Sequence, residues 1–144
     1  MNEMARGAPV ELLSILHAAH VVEDVVESKL NAVGLSLPKL LALKALSEAG
    51  ESLPLSQLAQ RLSCVKSNIT QLVDRLEADG LVVRQPDPHD RRTRLATLTA
   101  AGRTACKEGT RVQQETERAL LSTLTSDEAR QLSALLAKLG NSAG

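Results

Sequence analysis

Between residues 66 and 75 the chain sets Lys66, Ser67, Asn68 and Gln71 on one side of a helical repeat, with Thr70 and Arg75 at its flanks. Ile69, Leu72, Val73 and Leu76 make up the opposite side. Such polar groups suit hydrogen bonding to nucleic acid: Asn and Gln pair with adenine edges, Lys reaches guanine, and Ser or Thr hydroxyls bind phosphate. The same spacing also describes a polar face turned to solvent, and on spacing alone the two readings stand level. The next segment shifts the balance. Asp87-Pro88-His89-Asp90-Arg91-Arg92-Thr93-Arg94 crowds three Arg into four residues. An Arg at the tip of a thin hairpin can enter a narrow minor groove, where the negative potential is strongest. Asp90, two residues before Arg92, is expected to hold that guanidinium through paired hydrogen bonds. A solvated charged turn is the alternative.

Three other groups carry potential chemistry. His17, His20 and Asp24 share a helix face, since spacings of three and four align. They can orient an anionic small molecule, or pack and hydrogen-bond at an interface between chains, which is the commoner fate. As metal ligands they lack a second cluster, and His89 lies far along the chain, so no metal is expected. Cys64 falls in the turn before the 66–79 helix, where a helix N-terminus lowers a thiol pKa and oxidation would place charge beside the polar face. The plainer reading is a small residue filling the turn. No Gly-rich phosphate loop, nucleophile elbow or zinc motif is present, so neither an enzyme nor a cofactor is expected.

The elements that must position these residues follow from periodicity. Leu12, Ile15, Ala19, Val22, Val26 and Val33 make one apolar stripe on a helix from about Val10 to Val33, closed by Gly34. Ser36 as N-cap and Pro38 in the first turn open a second helix, which runs to Gly50. Glu51 to Leu55 reads as a link. Ser56–Leu62 is a two-turn helix, Ser63-Cys64 a tight break, and Lys66–Asp79 a second helix stopped by Gly80, together a helix-turn-helix. Leu81–Gln85 and Arg94–Leu98 read as strands around a loop at Pro86–Asp90, a β-hairpin wing. Thr99 opens a long helix to about Leu124, and the capping box Thr125-Ser126-Asp127-Glu128 opens a last one carrying Leu132, Leu135, Leu136 and Leu139.

Composition sets the outer limits. The 144 residues suffice for one domain with a core, and 43% are apolar, too many for a disordered chain. Formal net charge is zero, but residues 53–98 hold seven basic against five acidic side chains, while residues 1–52 hold four against seven. A phosphate contact is therefore sought in the middle third. There is no Phe, Tyr or Trp, which argues against holding unstacked bases by aromatic stacking. No run is apolar and long enough for a bilayer. With no signal-peptide pattern and two distant cysteines, Cys64 and Cys106, a reduced cytoplasmic protein is expected.

The stretch Leu58-Ala59-Gln60-Arg61-Leu62, followed by Ser67-Asn68-Ile69-Thr70-Gln71-Leu72-Val73-Asp74-Arg75-Leu76-Glu77-Ala78-Asp79-Gly80-Leu81-Val82, resembles the helix-turn-helix of the MarR (multiple antibiotic resistance regulator) family. Asp87-Pro88-His89-Asp90-Arg91-Arg92 with Leu98-Thr99-Ala100-Ala101-Gly102 is similar to that family's wing signature, and the likeness covers about residues 10–140. It implies a mainly α fold in a single domain, 1–144. Residues 10–50 and 99–140 would supply the dimerisation helices, and 53–98 the winged helix-turn-helix. It implies a homodimer on a palindromic operator. Lys66, Ser67, Asn68 and Gln71 match major-groove positions, Thr70 and Arg75 phosphate contacts, and Arg92 and Asp90 the minor-groove Arg and the Asp that positions it. Val65 departs from the capping Ser often found in the family, so Ser63 or a water is expected to cap instead. The resemblance further implies a transcription regulator, expected to repress and to lose DNA affinity when a small-molecule effector binds. The rival readings are a winged-helix protein-docking module without DNA binding, a redox regulator acting through Cys64, and an activator.

Overall fold

The computed structural model describes residues 10–63 and 68–143. Helix α1 spans Leu12–Asn31 and α2 Leu37–Glu48, followed by strand β1, Ser52–Pro54, and α3, Leu55–Arg61. Helix α4 spans Ile69–Ala78. Strands β2, Val82–Asp87, and β3, Asp90–Leu98, form the hairpin, and α5, Ala100–Leu121, and α6, Ser126–Ala143, complete the chain. The expected mainly α winged helix-turn-helix is present.

Local chemistry explains most boundaries. Ser36 Oγ accepts the Lys39 N–H at 3.3 Å, with Pro38 in the first turn of α2. Gly80, at φ +77°, closes α4. Its N–H donates to the Glu77 carbonyl, and the Leu81 N–H to that of Leu76, the paired bonds of a Schellman motif that favours glycine. Thr99 Oγ1 accepts the Gly102 N–H at 3.0 Å and donates to the Gly80 carbonyl at 2.6 Å, so one hydroxyl caps α5 and ties it to the end of α4. The capping box is reciprocal: the Thr125 N–H donates to Glu128 Oε1 at 2.9 Å, and the Glu128 N–H to Thr125 Oγ1 at 3.1 Å. Those bonds hold the Glu128 carboxyl below its ordinary pKa.

Four expectations need correction. The link at Glu51–Leu55 contains β1, which pairs antiparallel with β3 through Ser52↔Thr97, Leu53↔Ala96 and Pro54↔Leu95. Three residues are too few to show alternation in sequence, and the strand owes its place to the buried Leu53. The wing strands are longer than expected. β2 runs through Pro86 and Asp87, leaving Pro88-His89 as the turn. In the sheet order β1-β3-β2, β2 is an edge strand, where a proline removes no needed ladder bond. α4 begins at Ile69 rather than Lys66, and its N-cap is Asn68 rather than Ser63 or a water. Asn68 Oδ1 accepts from the N–H groups of Thr70 at 3.0 Å and Gln71 at 3.3 Å. Finally, α5 stops at Leu121 rather than near Leu124.

The core lies beneath the helix-turn-helix. Leu30, Leu40, Leu43, Leu46, Leu58, Val73, Leu76 and Val82 are fully buried, and α5 packs on them through Cys106 and Val112. α5 approaches closely because Gly102 and Gly109 lack side chains. A Cβ at Gly102 would lie 2.0 Å from the Leu81 carbonyl oxygen, and one at Gly109 2.7 Å from Leu35 and Leu40. The stripe on α1 is covered only in part. Val26 and Leu30 are buried, but Leu12, Leu13, Leu16, Val21 and Val22 are exposed, as are Leu132, Leu135, Leu136 and Leu139 of α6.

Candidate nucleic-acid interface

α4 turns Leu72, Val73 and Leu76 into the core and leaves Thr70, Gln71, Asp74 and Arg75 exposed. Burial of that apolar row fixes the rotation of the helix, so the polar row must face outward. Of the expected major-groove residues, Asn68 and Gln71 lie side by side at its start, where Asn68 caps the helix through its carbonyl oxygen. The Asn68 amide N–H groups remain as its donors. Lys66, Ser67 and Cys64 lie outside the described residues.

The wing also departs from expectation in detail. Asp90 does not grip the Arg92 guanidinium. Its Oδ1 accepts the Arg92 backbone N–H at 3.0 Å and its Oδ2 the Thr93 hydroxyl at 3.2 Å. Two residues after an Asp, the nearest donor is the backbone amide, as in an Asx turn. Asp87 does the same for the His89 N–H at 2.9 Å. The tip is thus fixed through its backbone, and the Arg side chains are left outward. Arg91, Arg92 and Arg94 are exposed. Among the described residues no ion pair engages them or Arg75.

Sequence reasoning missed Arg84. From β2 its guanidinium reaches Asp74 at 2.6 Å and Glu77 at 3.0 Å, and donates to the Thr70 carbonyl at 3.2 Å. Its own backbone N–H donates to Glu77 Oε2 at 3.0 Å. The bond to Asp74 is the largest influence raising the Arg84 pKa, against partial desolvation. Thr70, Asp74 and Glu77 form one helical row, and that spacing was the only available signal. On the other flank Lys39 Nζ meets Asp79 Oδ2 at 2.7 Å. There a cleft of about 260 Å³ is lined by Ser36, Pro38, Lys39, Asn68, Gln71 and Arg75, among others. α4 is therefore held on one side from the wing and on the other from α2.

The residues of α1 are placed as the helical spacing requires. His20 Nε2 lies 3.3 Å from Asp24 Oδ2, both side chains about 70% exposed, with His17 exposed one turn earlier. Among the described residues no three His, Cys, Asp or Glu side chains group as metal ligands, and no helix is long and apolar enough to cross a membrane. A further cleft of about 380 Å³ opens between α2 and α5, lined by Ser47, Arg103, Cys106, Lys107, Thr110 and Arg111, among others. Desolvation pushes the Cys106 thiol up in pKa, only partly offset by its hydrogen bond with Thr110.

Residues 33–93 match the family model described as MarR family. An HTH-type transcriptional repressor of Mycobacterium tuberculosis is 30% identical over 138 residues, spanning 96% of this chain and 98% of its own. The transcriptional activatory protein BadR of Rhodopseudomonas palustris is 33% identical over 109 residues, 71% of this chain and 62% of its own. A probable transcriptional regulator from Pseudomonas aeruginosa has a similar structure, with a TM-score of 0.79, 31% identity and coverage of 90% and 96% of the two chains. So does mutant MarR from E. coli complexed with operator DNA, with a TM-score of 0.75, 26% identity and coverage of 90% and 99%.

Proposed function

The chain belongs to the MarR family of transcriptional regulators, and from that premise we propose that it is a homodimeric repressor that binds a palindromic operator in double-stranded DNA. One observation carries the DNA reading: Arg92 stands exposed, with no ion pair among the described residues, on a hairpin tip whose backbone Asp90 fixes, beside a helix presenting Gln71 and Arg75. The roles follow from position. Asn68 and Gln71, with Lys66 and Ser67 ahead of them, read base edges in the major groove. Thr70 and Arg75 contact phosphate. Arg92 enters the minor groove, and Asp90 holds its backbone. Repression is favoured because the relative matched over nearly its whole length is a repressor. A second copy covers the exposed leucines and valines of α1 and α6, an apolar surface that water would otherwise meet.

In this reading the chain is one domain, with 53–98 as its DNA-binding part and the flanking helices for dimerisation. It works in the cytoplasm. The effector is a lipophilic organic anion, and Lys107 supplies a cationic side chain for it at the cleft between α2 and α5. His17, His20 and Asp24 lie on the open face of α1 and belong to the dimer contact. The test is selection from random duplexes with the wild-type protein. A two-fold symmetric consensus supports the proposal, and no enrichment over input contradicts it in favour of a protein-docking module.

A further inference from the structure

α1 packs along α5 but meets α2 over only a short stretch. Only Val26 and Leu30 of its residues are buried. Among the described residues its one side-chain hydrogen bond to another element comes from Glu27, whose Oε1 accepts the Leu37 N–H at 2.5 Å. Leu37 is the first residue of α2, so this N–H is one of the donors a helix leaves unpaired at its start. A carboxylate there also faces the positive end of the helix dipole. Two residues on, Lys39 reaches across to Asp79 at 2.7 Å, with only 20% of its side chain exposed. Asp79 is the C-cap of the recognition helix. Beyond these two attachments the rest of α2 is anchored in the core. Leu40, Leu43 and Leu46 are fully buried, and its only helix-breaking residue, Pro38, sits in the first turn, where it is harmless. The far flank of α4 is fixed to the wing by Arg84. The first turn of α2 is therefore held by α1 and in turn holds α4.

We propose that this turn is the joint through which α1 sets the direction of the recognition helix, with Glu27 and Asp79 as positioning residues. The inference rests on the reading of the chain as a dimeric DNA-binding protein. In a two-fold dimer the angle between α1 and α4 fixes the separation of the two recognition helices. That separation must match successive major grooves, about 34–36 Å apart. Losing either attachment loosens the match between protein and half-site spacing, while contacts within one half-site stay as they were.

The test titrates wild-type protein, Glu27→Gln, Glu27→Ala and Asp79→Asn against the selected operator, against versions with one base pair added or removed between its halves, and against a single half-site. Wild type is expected to prefer its own spacing by about tenfold or more, the cost of a misplaced set of base contacts. In Glu27→Ala that preference falls at least about threefold while half-site affinity holds, and Glu27→Gln and Asp79→Asn, which each keep an acceptor but lose the charge, lie between. Loss of folded protein changes the active fraction but not this ratio. If Glu27→Ala does not fold by circular dichroism, Glu27→Gln and Asp79→Asn decide the matter. Spacing preference equal to wild type in the folded variants overturns the joint. So does tighter binding of Asp79→Asn to every duplex with the preference intact, which would make Asp79 only a repelling charge. A wild-type protein that prefers no duplex overturns the DNA-binding reading itself, and the joint with it.

Discussion

Arg84 and Asp74 meet at 2.6 Å across the gap between wing and recognition helix. This contact joins the two parts proposed to reach different grooves of one duplex. The same guanidinium pairs with Glu77 at 3.0 Å. It thus masks two carboxylates on a helix proposed to approach phosphates.

Arg84→Ala is expected to weaken operator binding by about tenfold or more, because it frees the wing and exposes two like charges to the DNA. Adding Asp74→Asn and Glu77→Gln to that variant removes the repulsion. Affinity for random duplex then recovers, while the operator preference does not. Anisotropy titrations on both duplexes read the split. Unaltered operator affinity in Arg84→Ala would show that the contact is incidental.

Dimerisation through the bare apolar faces gives a second prediction. Leu16→Glu on α1 and Leu135→Glu on α6 each bury an unpaired charge if these faces meet a second copy. Sedimentation equilibrium is expected to shift from dimer to monomer, with loss of operator binding. A persistent dimer in both variants would place the interface elsewhere.

Gly102→Ala drives a methyl group against the Leu81 carbonyl, which is backbone and cannot rotate away. A net loss of about 1–3 kcal/mol is expected even after the gain in helix propensity. At fixed protomer concentration that is a fall in Tm of several degrees, on the order of 2–4 °C per kcal/mol. An unchanged melting curve would mean that α5 packs less closely than described.

Cys106 supplies the pH dependence. Its thiol pKa is raised by burial, so the folded state keeps a proton that the unfolded chain loses. Its contribution to stability is complete below the unfolded thiol value, about 8.5, and is lost as pH rises from there through the folded value. In a Cys64→Ser background, maleimide labelling at neutral pH is expected to be slow in the native protein and fast in denaturant. Rapid native labelling would show an accessible thiolate.

Much of this architecture was legible in the sequence because one physical signal dominates each part. The spacing of Leu72, Val73 and Leu76 gives α4 its inner face, and Gly34, Gly80, Thr99 and Thr125 mark ends through requirements of the backbone itself. β1 was hidden, since a three-residue strand is created by its partner β3 rather than by its own pattern. The site was legible in its surface residues and not in its supports. The exposure of Gln71 and Arg92 follows from local pattern. The partners of Arg84 and Glu27 lie on other elements, and only the fold brings them together. Asp90 was placed beside the right residue but on the wrong atom, because spacing along the chain does not distinguish an amide from a guanidinium two residues away.

The most direct test of DNA binding by this winged helix is an anisotropy titration of the selected operator with wild type and Arg92→Ala over a range of salt concentrations. Tight, salt-sensitive binding is expected for wild type. Arg92→Ala should lose about 1–3 kcal/mol of affinity, and its log–log salt slope should be shallower by about one. Equal affinity and equal slope for the two proteins would contradict the account, because the exposed wing arginine would then contribute nothing to binding.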